Sequence, residues 1–358
     1  MKQNTMWKLS HAWRSNPDLA AISLCQEKLA PLGIQLANAT GLESAEACKM
    51  HGMEIVDALA SGRPHLADLS RVAKDLKWIE RLPPFVRHYM THEDRWHGIP
   101  VAIHRANCAW VNGAIARRLG ERIPADIPGL FRWLNDAGDI TSRPLAVGAE
   151  PWQIGVLFES IALAVMGADL YRRAFEGRDV SALRSAQMVS TLDVMLQLRE
   201  FVDENALQLP WTDQLARVDR GDAALAVMGD WAGVAGFKNV SRWAVPGTAG
   251  NFVFIADYFV PLASSPENVN QVIADLLTQA EFQEEFSRIK GSLPANMDAW
   301  PRFEDSRWDM LRCDGAAVPS LTFDQCVSVP LKKRILELVA AHFLTRGSSV
   351  ACADALAS

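Results

Sequence analysis

Residues 221–294 leave this chain few choices. Residues 223–228 form a short apolar run bounded by Gly221 and Gly229, the pattern of a buried strand. The run delivers Asp230 and Trp231 at its end, just before Gly233. Residues 252–259 make a second strand-like run, with Asp257 set inside it. Ser265-Pro266 then opens a helix, a capping residue followed by proline at the first helical position. Val269, Val272, Ile273, Leu276, Leu277 and Ala280 continue it at helical spacing. Lys290-Gly291 closes it as one long helix, with a cation and a glycine where a helix end favours both. Strand ends and a helix end therefore present Asp230, Trp231, Asp257 and Lys290. An aromatic plate among charged hydrogen-bonding groups suits a polyhydroxylated ligand. The CH face of a sugar ring stacks on indole, and its hydroxyls take charge-assisted hydrogen bonds.

The rest of the composition narrows the class. A chain of 358 residues has room for two domains. Its net charge of −6 and lack of a basic stripe argue against a nucleic-acid partner. Twelve tryptophans stand against three tyrosines, a surplus of the best stacking surface for a sugar. No stretch approaches the roughly 18 apolar residues of a membrane helix, so the chain reads as not membrane-embedded. Residues 1–10 hold Lys2 and Lys8 but no apolar run, so no secretory leader is read in them. The sequence is then either a mature form or a protein kept in the cytoplasm. The six cysteines, Cys25, Cys48, Cys108, Cys313, Cys326 and Cys352, show no CxxC and read as buried thiols. His88 and His92 stand four apart on one helical face, but no further ligand pattern joins them, so neither metal nor cofactor is expected.

Taken in order, the chain alternates strand and helix patterns, which predicts an α/β fold. Residues 7–13 read as an opening strand and Pro17-Asp18 as the start of a helix. A helix over 53–60, a loop over 78–84, a short helix over 85–90 and a strand over 98–103 follow. Asp126 caps the next helix, residues 144–148 form a strand, and residues 154–167 and 189–196 are helical. Beyond Pro294, residues 300–311 and 332–343 carry two more helical patterns.

These blocks resemble the sugar-binding members of the extracellular solute-binding proteins that serve ABC transporters. The resemblance rests on Gly221-Asp222-Ala223-Ala224, Gly229-Asp230-Trp231, Pro246-Gly247-Thr248-Ala249-Gly250, Asp257-Tyr258-Phe259, Glu281-Phe282-Gln283 with Phe286, and Lys290-Gly291-Ser292-Leu293-Pro294, in that order. It is strongest over 211–296 and weakest before residue 75. It implies an α/β, two-lobe, type II periplasmic-binding-protein-like fold, with a ligand cleft between lobes joined by crossover hinge segments. The first lobe is expected to hold residues 1–109 and 258–300, the second 110–257 and 301–358. The resemblance adds Trp13, Asp68, His104, Trp152 and Trp211 to the ligand-binding candidates Asp230, Trp231, Asp257 and Lys290. It implies a monomer that hands a mono- or oligosaccharide to an ABC-transporter permease, and a periplasmic location.

Two other functions fit parts of the pattern. A glycosidase could use Asp230 and Asp257 as its carboxylate pair. Lys290 beside either one would keep it ionised rather than raise its pKa as an acid catalyst requires, and no nucleophile motif stands out. A sensor built on the same binding fold would account for the missing leader and for Pro64-His65 where relatives carry Pro-Asp.

Overall fold

The computed structural model describes residues 5–39, 42–302 and 317–358. The chain divides into two compact units, each assembled from separated stretches. The first comprises Met1–His104 and Ile255–Asp309, the second Arg105–Phe254 and Met310–Ser358. The divisions at 104/105 and 254/255 lie a few residues before the sequence-based 109/110 and 257/258, so Asp257 lies in the first unit.

In the first unit, the Thr5–Ser10 strand pairs in parallel with Ile34–Asn38 and with Ala47–Met50. Residues 258–261 of the Phe252–Pro261 strand run antiparallel to Ala47–Met50. Trp7 and Leu9 alternate inward from the opening strand and are fully buried. The Asn16–Leu29 helix begins with a capping box, Ser15 accepting from the Asp18 N–H while the Asp18 side chain takes the Ser15 N–H. The expected single helix after Ser265 is two, Glu267–Leu277 and Ala280–Lys290. The Thr278 hydroxyl donates to the Ala274 carbonyl, and Gln283 Nε2 donates to the Leu277 carbonyl at 2.9 Å. These side chains satisfy the last turn and let the chain bend there. Ser265 is not the cap. Pro266 occupies that position, and Ser265 Oγ donates to Asn270 Oδ1. Residues 78–81 form a helical turn rather than a loop. The Pro84–Met90 helix ends before His92, which sits in the Thr91–His92 strand, so His88 and His92 do not share a helical face.

In the second unit, Cys108–Asn112 pairs antiparallel with Val240–Ala244 and with Leu225–Met228, and Leu145–Ala146 joins Leu225–Met228 in parallel. Asn112 ends its strand and caps the next helix by accepting from the Ala114 and Ile115 N–H groups. The Asp126 cap is present, accepting from Gly129. The longest helix, Pro151–Phe175, is long and apolar enough by composition to cross a membrane, contrary to the sequence reading, but most of it is packed inside the unit. It bends at Gly167, whose φ is +72°. It lies so close to the Val329–Thr345 helix that a Cβ on Gly155 would meet Leu336 Cδ2 at 2.5 Å. Cys25, Cys48, Cys326 and Cys352 are buried free thiols, and Cys108 is buried as well. Cys313 and most of the helical pattern over 300–311 fall outside the described residues.

Candidate functional site

The first unit gathers a buried charged cluster on one sheet face. In the Ala47–Met50 strand and the residue after it, Lys49 and His51 point to the same side, because strand side chains alternate. Phe259 pairs with Lys49 and Tyr258 with Met50, which brings Asp257 level with His51 on that face. The resulting contacts are direct. Lys49 Nζ is 2.8 Å from Asp257 Oδ1, His51 Nε2 is 3.2 Å from the same oxygen, and His104 Nε2 is 3.6 Å from Oδ2. Lys49 also touches His51 Nε2. Asp257 is 2% exposed. Burial disfavours its charge, but Lys49, the hydrogen bond with His51 and the nearby Lys290 outweigh burial and hold the carboxyl well below the usual range. Glu54 takes the His51 N–H at the next helix start. Burial opposes its charge too, but His51 and Lys49 bring its pKa down to about 2.

Lys290 ends the Ala280–Lys290 helix, and Gly291 follows at φ +73°, a left-handed position suited to glycine. Its ammonium pairs with Asp18 in the first turn of the Asn16–Leu29 helix, so each charge sits where its helix dipole favours it. Burial again opposes the Asp18 charge, and Lys290 overcomes it. Asp257 and Lys290, both ligand candidates from sequence, are thus matched by separate partners, Lys49 and Asp18. Lys290 Nζ stands 4.5 Å from the Trp13 ring centroid, and Lys49 Nζ 5.9 Å. Trp13 is 8% exposed and packs on Phe259 and Phe286, so much of its ring is already covered. Asp68 stands apart as a turn former. It accepts from the Ser70 N–H and hydroxyl, and no contact is found with the Asp257 cluster among the described residues.

The second unit carries an aromatic face. Leu225–Met228 ends at Gly229, and Trp231 folds back over that glycine. A Cβ there would come within 1.9 Å of Trp231 Cζ3, so no other residue fits without moving the indole. Trp152, at the second position of the Pro151–Phe175 helix, donates from Nε1 to Glu150 Oε2 at 3.1 Å. Phe323 meets Trp231 edge-on at 5.3 Å and Trp152 at 6.3 Å. Trp211 opens the Trp211–Arg220 helix. Together with Trp152 and Trp231 it is half-buried against one apolar cluster that includes Trp110, Leu215, Val218 and Met228. Asp230 is buried and accepts the Arg105 N–H at 2.9 Å.

No family model matches the chain. A probable sugar-binding periplasmic protein of Mesorhizobium japonicum is 28% identical over 320 residues, covering 81% of this chain and 76% of that protein. An ABC transporter extracellular-binding protein of Pyrococcus horikoshii is 28% identical over 235 residues, covering 63% of this chain and 52% of its own length. Among solved structures, a bacterial solute receptor described as having an exclusive preference for β-D-galactopyranose superposes with a TM-score of 0.84 at 12% identity, covering 99% of this chain and 97% of the receptor. The chain is similar in sequence to proteins named for sugar binding, and it has the type II periplasmic-binding-protein fold.

Within this solute-binding fold, the sequence candidates sort into separate groups. His104, Asp257, Lys290 and Trp13 come together in the first unit, while Trp152, Trp211 and Trp231 line one apolar cluster in the second. Sequence reading missed Lys49, His51 and Asp18 in the first unit and Phe323 in the second. Lys49 and His51 could have been found, since two basic residues two apart at a strand end must share a face. Phe323 carried no local signal, because it reaches the tryptophans only through chain folding.

Proposed function

We propose that this protein binds a sugar or related polyhydroxylated ligand, performs no reaction on it, and delivers it to an ABC-transporter permease from the periplasmic side as a monomer. The observation that carries this reading is the state of Asp257. Its carboxylate is buried yet strongly held in the ionised form by Lys49 and His51, with His104 and Lys290 close by. Such a group accepts hydrogen bonds from hydroxyls well and donates a proton poorly, which suits gripping a sugar and not cleaving one. The aromatic face of Trp231, Trp152 and Trp211 supplies stacking surface, and kinship with proteins named for sugar binding and for ABC transport supports the class. Asp257, Lys290, His104, Trp13, Trp152, Trp211 and Trp231 are the proposed ligand contacts. Asp68 and Asp230 enter as supports, one of a turn and one of a backbone N–H.

A thermal-shift panel of mono- and oligosaccharides tests this, followed by calorimetry and product analysis after long incubation. A true ligand at about 100 times its Kd adds about 2.7 kcal/mol to stability and is recovered intact. A panel without a single stabilising sugar, or the appearance of hydrolysis products, defeats the reading.

A further inference from the structure

We propose that Glu159 is a positioning residue for sugar binding: it fixes the turn that holds Phe323 against Trp231 and Trp152, and thereby sets the aromatic face. The proposal rests on the sugar-binding reading above. Glu159 is fully buried midway along the apolar half of the Pro151–Phe175 helix, next to Phe158 and two residues before Ile161 in the chain, both buried. A carboxylate in such company is costly unless its lone pairs are used. One short segment uses them. The Ser320 hydroxyl lies 3.1 and 2.9 Å from the two carboxylate oxygens and shares its one proton between them. The Leu321 and Thr322 N–H groups donate to Oε2 at 3.0 and 3.2 Å.

The chain of contacts does not stop there. With its proton committed to Glu159, the Ser320 oxygen accepts the Phe323 N–H at 3.3 Å. Asp324 follows at φ +52°, a conformation uncommon for aspartate, and its carboxylate is tied to Lys332 at 2.6 Å. Phe323 is thus pinned on both sides, and its ring reaches Trp231 at 5.3 Å and Trp152 at 6.3 Å. One buried acid in a core helix sets the place of an aromatic ring four residues into a turn. Burial raises the Glu159 carboxyl to about 7, against the pull of Ser320 and the two amides. On the same turn, burial and then the charges of Glu159 and Glu176 push the Cys326 thiol up, and the Asp324 carboxylate is paired with Lys332.

Amide hydrogen exchange on the peptide spanning residues 317–327 tests the anchoring without any ligand. E159Q and the milder S320A should both exchange faster at Leu321, Thr322 and Phe323 than the wild type. Calorimetry with methyl β-D-galactopyranoside, maltose and raffinose tests the consequence. E159Q should weaken whichever sugar binds by about tenfold, and the F323A/E159Q pair should bind no more weakly than F323A alone, since both changes act through one ring. Unchanged exchange in both variants overturns the proposal whatever the sugars do. Faster exchange with unchanged affinity, or with losses that add in the double variant, overturns it as well. Should none of these sugars, nor any in the broader panel, bind the wild type, the sugar-binding reading fails and the positioning role falls with it, whereas the exchange data stand as a separate result.

Discussion

Asp257→Asn is the sharpest perturbation of the first unit. The substitution keeps the shape of the side chain and removes its charge. In the wild type, Lys49 lies 2.8 Å from Asp257 with both side chains almost fully buried, and His51 and His104 face the same carboxylate. Removing one partner of a buried pair leaves the other charge uncompensated, a loss of about 3–5 kcal/mol. The polar amide left in place, and the freedom of Lys49 to lean toward His51, bring the expectation to the lower end, about 3 kcal/mol. For a unit the size of Met1–His104 with Ile255–Asp309, each kcal/mol moves the melting point by about 3 °C. The ligand-free variant should therefore melt about 9 °C below the wild type at pH 7. The sign with pH follows from the depressed pKa. Stability contributed by Asp257 is present above the ordinary carboxylate range and disappears as pH falls through the lower folded value, so the gap between variant and wild type should close in strong acid. Scanning calorimetry of the ligand-free proteins from pH 7 downward measures both. A ligand-free variant within about 2 °C of the wild type at pH 7 would refute the claim that this buried pair matters to the fold. A large loss in the ligand-free protein with sugar affinity retained would instead make the cluster structural and remove Asp257 from the ligand contacts.

Other predictions concern the second unit. Trp231→Ala should weaken sugar binding by about 1–3 kcal/mol in calorimetry, and unchanged affinity with normal folding would sink the stacking assignment. Gly229→Ala drives a methyl into the Trp231 ring, so a loss of about 1–3 kcal/mol of stability and an altered near-ultraviolet dichroism spectrum are expected; an unaltered spectrum contradicts the packing. Glu159 titrates near 7 in the folded chain against about 4.5 when exposed, so the fold favours its protonated form and stability falls as pH rises between those values. The decline is on the order of 3 kcal/mol, and urea titrations at pH 5 and pH 7.5 should show it in the wild type and not in E159Q.

Local chemistry settled much of the fold before any tertiary contact was known. The Ser15–Asp18 box, the Asp126 cap and Gly291 after Lys290 fix helix ends through the hydrogen-bonding demands of the nearest few residues; the Asp126 cap and Gly291 stand where the sequence placed them, whereas only the helix start at Pro17-Asp18, not the box, was read there. The apolar runs before Asp230 and around Asp257 were legible as strands because a short continuous apolar run is a local signal, and both strands are buried along their length. The helix break at Thr278 was not legible, because helical spacing continued through it and only the side chains of Thr278 and Gln283 ended the turn. Partner choice lay further from reach. Asp257 meets Lys49 rather than Lys290 because antiparallel pairing brings residues more than two hundred positions apart onto one sheet face. Phe323 meets Trp231 and Trp152 because a carboxylate in a distant helix holds its turn. A sequence states which groups are able to pair. Which of them do is decided by strand register and by the cost of burying a charge without its match.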